Sequence, residues 1–203
     1  MIFRQKNIAM KNNVQIILQE LQQSASSVDC GKLNALAADI ASVRKRGNKV
    51  YCIAAGRMLF VAQTLVMRLN QMGIKANCSS DTYVEPIADG DLIIAISSSG
   101  STRGVVDFSS RAREKFNVLI WMIGCNPRSP LCRLADNALL FRPAGSTRAL
   151  AETEKLSPVP SVQPMSSLNE QTAFLCLDAL ILELMETLQI TNDFMNKRHF
   201  NLE

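Results

Sequence analysis

Aromatic residues are scarce in this chain, at 5% of 203 residues. The core must therefore be built from Leu, Ile, Val, Ala and Met, and the 47% hydrophobic content is enough for a sizeable one. Histidine occurs once, and none of the six cysteines (30, 52, 78, 125, 132 and 176) stands in C-x-x-C spacing. That combination argues against a structural zinc site. Cys52, Cys78 and Cys176 fall in apolar runs, where a free thiol behaves as a small hydrophobe, and a reduced, cytoplasmic protein is the simplest reading. The first residues hold no apolar stretch of signal-peptide type. The most apolar segment, residues 173–185, is cut by Asp178 and Glu183 and is too short to span a bilayer. Neither a G-x-G-x-x-G fingerprint nor a G-x-x-x-x-G-K-[ST] loop is present, so dinucleotide and nucleoside-triphosphate binding find no support.

The formal net charge is +4, with Lys and Arg scattered rather than clustered. This suits a small anionic ligand better than nucleic acid. The one dense group, Arg44-Lys45-Arg46, reads as a helix C-terminus whose cations complement the macrodipole.

Periodicity divides the chain. Residues 10–46 predict two helices, broken at Asp29-Cys30-Gly31 and ended by Gly47-Asn48. Short apolar runs at 49–53, 75–78, 91–96, 118–123 and 138–141 predict buried strands. They alternate with helical stretches at 58–72, 103–116 and 130–135. This grammar predicts an α/β fold with a five-stranded parallel sheet sandwiched by helices, spanning residues 49–142 of a single domain over 1–203. Residues 143–166, with prolines at 143, 158, 160 and 164, read as a long loop without clear secondary structure, a candidate lid. Residues 167–203 supply a long amphipathic helix over 167–189, a short one within 191–200, and a tail. Phe174, Leu175, Leu177, Leu180, Ile181, Leu184, Met185 and Leu188 give the long helix more apolar surface than one sheet face needs, which predicts self-association.

The strand at 91–96 feeds directly into Ser97-Ser98-Ser99-Gly100-Ser101-Thr102. The hydroxyls donate to anionic oxygens, Gly100 permits a tight turn, and a helix beginning near Thr102 turns its free N–H groups toward the loop. A plain helix cap needs one hydroxyl; five hydroxyl residues in six positions point to a phosphate site.

Ser97-x-Ser99-Gly100-x-Thr102 after a strand resembles the signature of the sugar isomerase (SIS) domain. Nearly the whole chain is similar to the 6-phospho-3-hexuloisomerase family. The match is closest in Gln163-Pro164-Met165, Leu168, Glu170-Gln171-Thr172, Asp178-Ala179, Leu184-Met185-Glu186 and the ending from Arg198 to Glu203. The resemblance implies a flavodoxin-like parallel sheet, a homotetramer and no cofactor. It implies isomerisation of D-arabino-hex-3-ulose 6-phosphate to fructose 6-phosphate, in the ribulose monophosphate route. It places the acid–base pair at Glu170 and His199, and ligand contacts at Gly56, Arg57 and Asp81 beside the serine loop. Departures occur where the family turn reads G-x-G-R-S-G and this chain has Ala54-Ala55-Gly56-Arg57-Met58-Leu59. Ser101 and Asp81 each stand where the family has Glu, and Val84 where it has Thr.

Each site residue also has a plainer reading. Ser167-x-x-Glu170 has the form of a capping box, His199 beside Lys197 and Arg198 has the setting of a surface residue, and Arg57 that of a surface charge. Met58, Leu59, Met67 and Met72 read as packing. The same loop also suits an isomerase of another phosphosugar, or a non-catalytic phosphosugar sensor.

Overall fold

The computed structural model describes residues 2–145 and 158–202, with side chains in the first helix described from Asn12 onward. Two helices, α1 (Ile2–Ala25) and α2 (Cys30–Arg46), precede the sheet. The Asp29 side chain accepts the Gly31 and Lys32 N–H groups and starts α2; Gly47, at φ 77°, ends it in the left-handed region. The predicted stripe Leu33, Leu36, Ile40 and Val43 is buried, and Arg44, Lys45 and Arg46 occupy the last turn.

The core follows as β1 (Val50–Ile53), α3 (Arg57–Gln71), β2 (Ala76–Cys78), β3 (Leu92–Ile96), α4 (Arg103–Lys115), β4 (Leu119–Gly124), α5 (Pro130–Leu134) and β5 (Asn137–Leu140). Strands pair in parallel throughout, in the order β2-β1-β3-β4-β5. This is the five-stranded parallel sheet that the sequence predicts. Because side chains alternate across a strand, β3 sends Leu92, Ile94 and Ile96 to one face and Ile93 and Ala95 to the other. The first face packs on α2, α3 and α6 (Ser167–Thr187); the second packs on α4 and α5. Trp121 is fully buried and donates its indole N–H to Asp39 Oδ2 at 2.8 Å, joining β4 to α2.

The chain passes from β2 to β3 without a helix. Asp91, fully buried, pins that connection: its carboxylate accepts from the backbone N–H groups of Lys49 and Ala88 and from Asn48 Nδ2. After β5 the described ends of the expected loop carry local structure. Ala144 and Val159 form a parallel bridge, and a 3-10 turn, Pro164–Ser166, leads into α6. Residues 146–157, the middle of the expected lid, lie outside the described residues. A short α7 (Asn192–Asn196) packs back near α3. Among the described residues no helix is long and apolar enough to cross a membrane.

Candidate functional site

In a sheet ordered 2-1-3-4-5 the chain reverses direction of progress between β1 and β3, and the loops leaving those strands diverge to open a crevice. A cavity of about 370 Å³ sits there. Ala55 and Met58 line it from the turn after β1, Ser97, Ser98, Ser99 and Thr102 from the loop after β3, and Cys125 and Asn126 from the end of β4. Met165, Ser166, Asn169 and Glu170, where α6 begins, close the opposite wall.

The serine loop is braced from within. Ser97 is buried, its Oγ accepts the Gly100 N–H at 3.1 Å and lies 2.9 Å from Thr102 Oγ1. Ser99 Oγ accepts the Ser101 N–H at 3.2 Å. Gly100 has φ 63°, and a Cβ there would lie 2.5 Å from Ser129 Cβ; Gly124 lets the Ser97 carbonyl pass where a Cβ would lie 2.2 Å from its oxygen. Glycine at both positions lets the loop lie flat against the ends of β4 and α5. Thr102 is the N-cap of α4, yet its hydroxyl faces Ser97 and makes no cap hydrogen bond. Thr102 thus leaves the N-terminus of α4 without a side-chain cap, and the first N–H groups of a helix so placed suit an anion.

At the far wall the capping box expected at Ser167-x-x-Glu170 does not form. The N-cap of α6 is Ser166, without a side-chain cap bond, and Ser167 is already helical. Ser167 Oγ donates instead to the Pro164 carbonyl and accepts from Arg57 Nη1 at 2.9 Å. That frees Glu170, whose Oε2 lies 2.9 Å from Arg57 Nε. The contact is ionic but poorly aligned, and Oε2, though buried, takes no hydrogen bond. Burial raises the Glu170 carboxyl above its ordinary range, and Arg57 offsets part of that rise.

Met165 (φ 52°) and Ser166 (φ 63°) are two successive non-glycine residues in the left-handed region, beside the cavity. The approach to this turn is held by Glu20 of α1, whose carboxylate accepts from Ser161 Oγ, Val162 N and Gln163 Nε2. Burial would raise the Glu20 pKa, but these three donors hold it below the ordinary value. Cys125 lines the cavity with its thiol pushed up by burial, so it is no thiolate nucleophile at neutral pH.

The other expected residues divide. Gly56 (φ 60°, ψ −140°) turns β1 into α3 and so sets Arg57 at the helix start. Gly100 and Ser101 act through the loop backbone. Asp81 does not reach the cavity lining: its Oδ2 accepts the Cys78 N–H at 2.7 Å and closes the turn after β2, on the far side of β1. Leu59 packs on the core; Met58 does both, being buried in the core and lining the cavity. His199 lines a separate surface cleft with Arg68, Gln71 and Met185 near the end of α6. Glu170 and Met185 are about 22 Å apart along a helix rising 1.5 Å per residue. One chain thus does not bring His199 to Glu170. Asn126, Asn169, Met165 and Gly124 were not read from the sequence as site residues; only the strand-end position of Asn126 offered a signal. Among the described residues no group of three or more His, Cys, Asp or Glu is placed to hold a metal ion.

The SIS domain family model matches residues 42–158. A protein of Bacillus subtilis named 3-hexulose-6-phosphate isomerase is 33% identical over 187 residues, covering 92% of this chain and 95% of its own. One of the same name from Mycobacterium gastri is 32% identical over 192 residues, covering 95% and 90%. In three dimensions the chain is similar to a hypothetical protein from Methanococcus jannaschii, whose crystal structure inferred a function of 3-hexulose-6-phosphate isomerase. The TM-score is 0.72 at 24% identity, over 95% of this chain and 99% of that one.

Proposed function

The chain belongs to the SIS domain family, and on that premise we propose that it interconverts D-arabino-hex-3-ulose 6-phosphate and fructose 6-phosphate through an enediol. The observation that carries the reading is the cavity itself: hydroxyl and helix-end donors stand on one wall, and a desolvated carboxylate stands on the other. Its volume of about 370 Å³ falls within the roughly 300–1,000 Å³ of small-ligand sites. Met58 therefore narrows the pocket without closing it.

The phosphate is bound by Ser98, Ser99 and Thr102 and by the uncapped N-terminus of α4, supported by the braced backbone of Ser97, Gly100 and Ser101. The sugar chain then extends toward α6. Glu170 takes the proton from C2 of the 3-ulose, and the electron pair forms the C2=C3 bond while the C3 carbonyl electrons move to oxygen. Passing the C2 hydroxyl proton to the C3 oxygen and returning the abstracted proton from Glu170 to C3 then gives the 2-ulose. A carboxyl raised by burial is a stronger base than an exposed one, and the Arg57 guanidinium beside it favours its charged form. No cofactor is required for this step.

His199 enters from a second copy of the chain. An apolar groove of about 560 Å³ adjoins the site, lined by Arg57, Phe60, Glu170, Phe174 and Leu175 among others. Phe60, Phe174 and Leu175 are 66%, 41% and 42% exposed, a cost that self-association into a homo-oligomer removes.

The test is a coupled assay supplying enzymatically generated hexulose 6-phosphate and following fructose 6-phosphate, with Glu170→Gln as control. Turnover is expected to fall by about 10²–10⁴ in the variant. Mixing Glu170→Gln with His199→Ala protein restores activity if the two groups act across copies. Wild-type protein without turnover, or a Glu170→Gln variant with full turnover, refutes the proposal.

A further inference from the structure

Asn169 stands immediately before the proposed base, in the first turn of α6, and lines the same cavity. It is 1% exposed. Its Oδ1 accepts the Ala144 backbone N–H at 2.8 Å, while its buried Nδ2 has no partner. The Ala144 N–H can only donate, so it fixes which end of the amide faces it and excludes the flipped orientation. The end left over is the N–H₂ group, which can only donate. A buried donor without an acceptor destabilises the site, and a ligand oxygen in the cavity would remove that cost. Gln171 Oε1 is also buried without a partner, but Gln171 lines the adjoining groove rather than the cavity that Asn169 lines. Ser167 and Arg57 are engaged with each other, and Glu170 Oε2 sits against Arg57.

We propose that Asn169 is a substrate-binding residue whose Nδ2 donates to the sugar oxygen that gains negative charge when the neighbouring Glu170 removes the proton. The assignment rests on the phosphosugar reading of the site. With the phosphate on the serine loop, the reacting carbons lie at the α6 wall, where base and donor are adjacent residues. The geometry is that of a one-donor oxyanion site: the carbonyl oxygen is held before reaction, and the same N–H stabilises the enediolate. The anchor on Ala144 extends this role to the chain after β5. Movement of that segment would turn the amide and misplace the donor. Asn169 thus reads the carbonyl of the ligand, while the serine loop reads only its phosphate.

The experiment compares wild type, Asn169→Ala and Asn169→Asp as full-length proteins. Fructose 6-phosphate and inorganic phosphate are each titrated by calorimetry, and kcat is measured in the coupled assay. Asn169→Asp retains an oxygen for the Ala144 N–H and lacks the donor, so it preserves the test if the alanine variant fails to fold. The expected result is a preference for fructose 6-phosphate over phosphate reduced about 10-fold or more in both variants. In Asn169→Ala, phosphate affinity is unchanged and kcat falls about 100-fold. Folded variants that keep the wild-type preference and kcat overturn the assignment. Equal weakening toward both ligands also overturns it, since it marks a role in the architecture of the site. Wild-type protein that binds phosphate but not fructose 6-phosphate overturns the hexose 6-phosphate reading, and this inference with it. That failure shows before any substitution is made.

Discussion

Replacing Gly100 by alanine tests whether the serine loop is a built cradle or an ordinary turn. At φ 63° an L-residue is strained, and the added Cβ would lie 2.1 Å from Ser129 Oγ, 2.5 Å from Ser129 Cβ and 2.8 Å from Met122 Cε. The serine oxygen can rotate away, at the expense of the bond by which it accepts the Cys132 N–H. The serine Cβ cannot, because Ser129 caps α5 and is 1% exposed. Left-handed strain costs about 1–2 kcal/mol and overpacking about 1–3 kcal/mol, together roughly 2–5 kcal/mol. Two other glycines separate these contributions. Gly56 has φ 60° with nothing within 4 Å of its Cβ position, so Gly56→Ala carries strain alone, roughly 1–3 kcal/mol. Gly104 lies in α4 with ordinary φ and open space, so Gly104→Ala is expected to stabilise the protein by about 0.4–1 kcal/mol. Urea unfolding of the three variants gives the ranking, and a fluorescence or calorimetric titration with inorganic phosphate gives the consequence for the site. Gly100→Ala is expected to be the least stable and to bind phosphate weakly, because moving the loop off Ser129 misaligns every donor in it. A loss below about 1 kcal/mol, or one smaller than that of Gly56→Ala, would refute the account of the loop.

Three further outcomes follow from the wall opposite the loop. Arg57 lowers the Glu170 pKa, so Arg57→Gln raises it; the acidic limb of the kcat/KM profile moves to higher pH, and a limb that stays in place removes the link between the two groups. Glu20 has a folded pKa below its unfolded value, so its stabilisation is present above the unfolded pKa and is lost as pH falls through the folded one. Wild type and Glu20→Ala should accordingly converge in melting temperature on acidification, and a constant gap between them contradicts this. Ser166→Gly removes left-handed strain of about 1–2 kcal/mol against a smaller entropic cost, so a net gain in stability is expected, and a lower midpoint in urea speaks against strain at this turn.

The parallel sheet was legible in the sequence because it rests on local rules. Strands buried on both faces are continuous apolar runs, and 91–96 and 118–123 differ by one residue at their ends from β3 and β4. The serine loop was legible for the same reason: its hydroxyls, its glycine and the following helix are consecutive in the chain. The capping box was not, although it too is a local motif. Arg57, 113 positions before Glu170, offers the carboxylate a charged partner, and Pro164 and Ser166 start α6 one residue earlier than the motif implies. Asn169 gave no signal at all, since its meaning depends on the Ala144 N–H taking one end of its amide. The sequence by itself determined what is written in contiguous residues: strand and helix order, the phosphate loop, and which faces are apolar. Only the tertiary structure decided that Asp81 serves a turn, that His199 stands at the other end of a 21-residue helix from Glu170, and that Asn169 faces the cavity. Those outcomes depend on which distant backbone and charged groups meet when the two faces of the sheet are covered, and local periodicity does not encode such meetings.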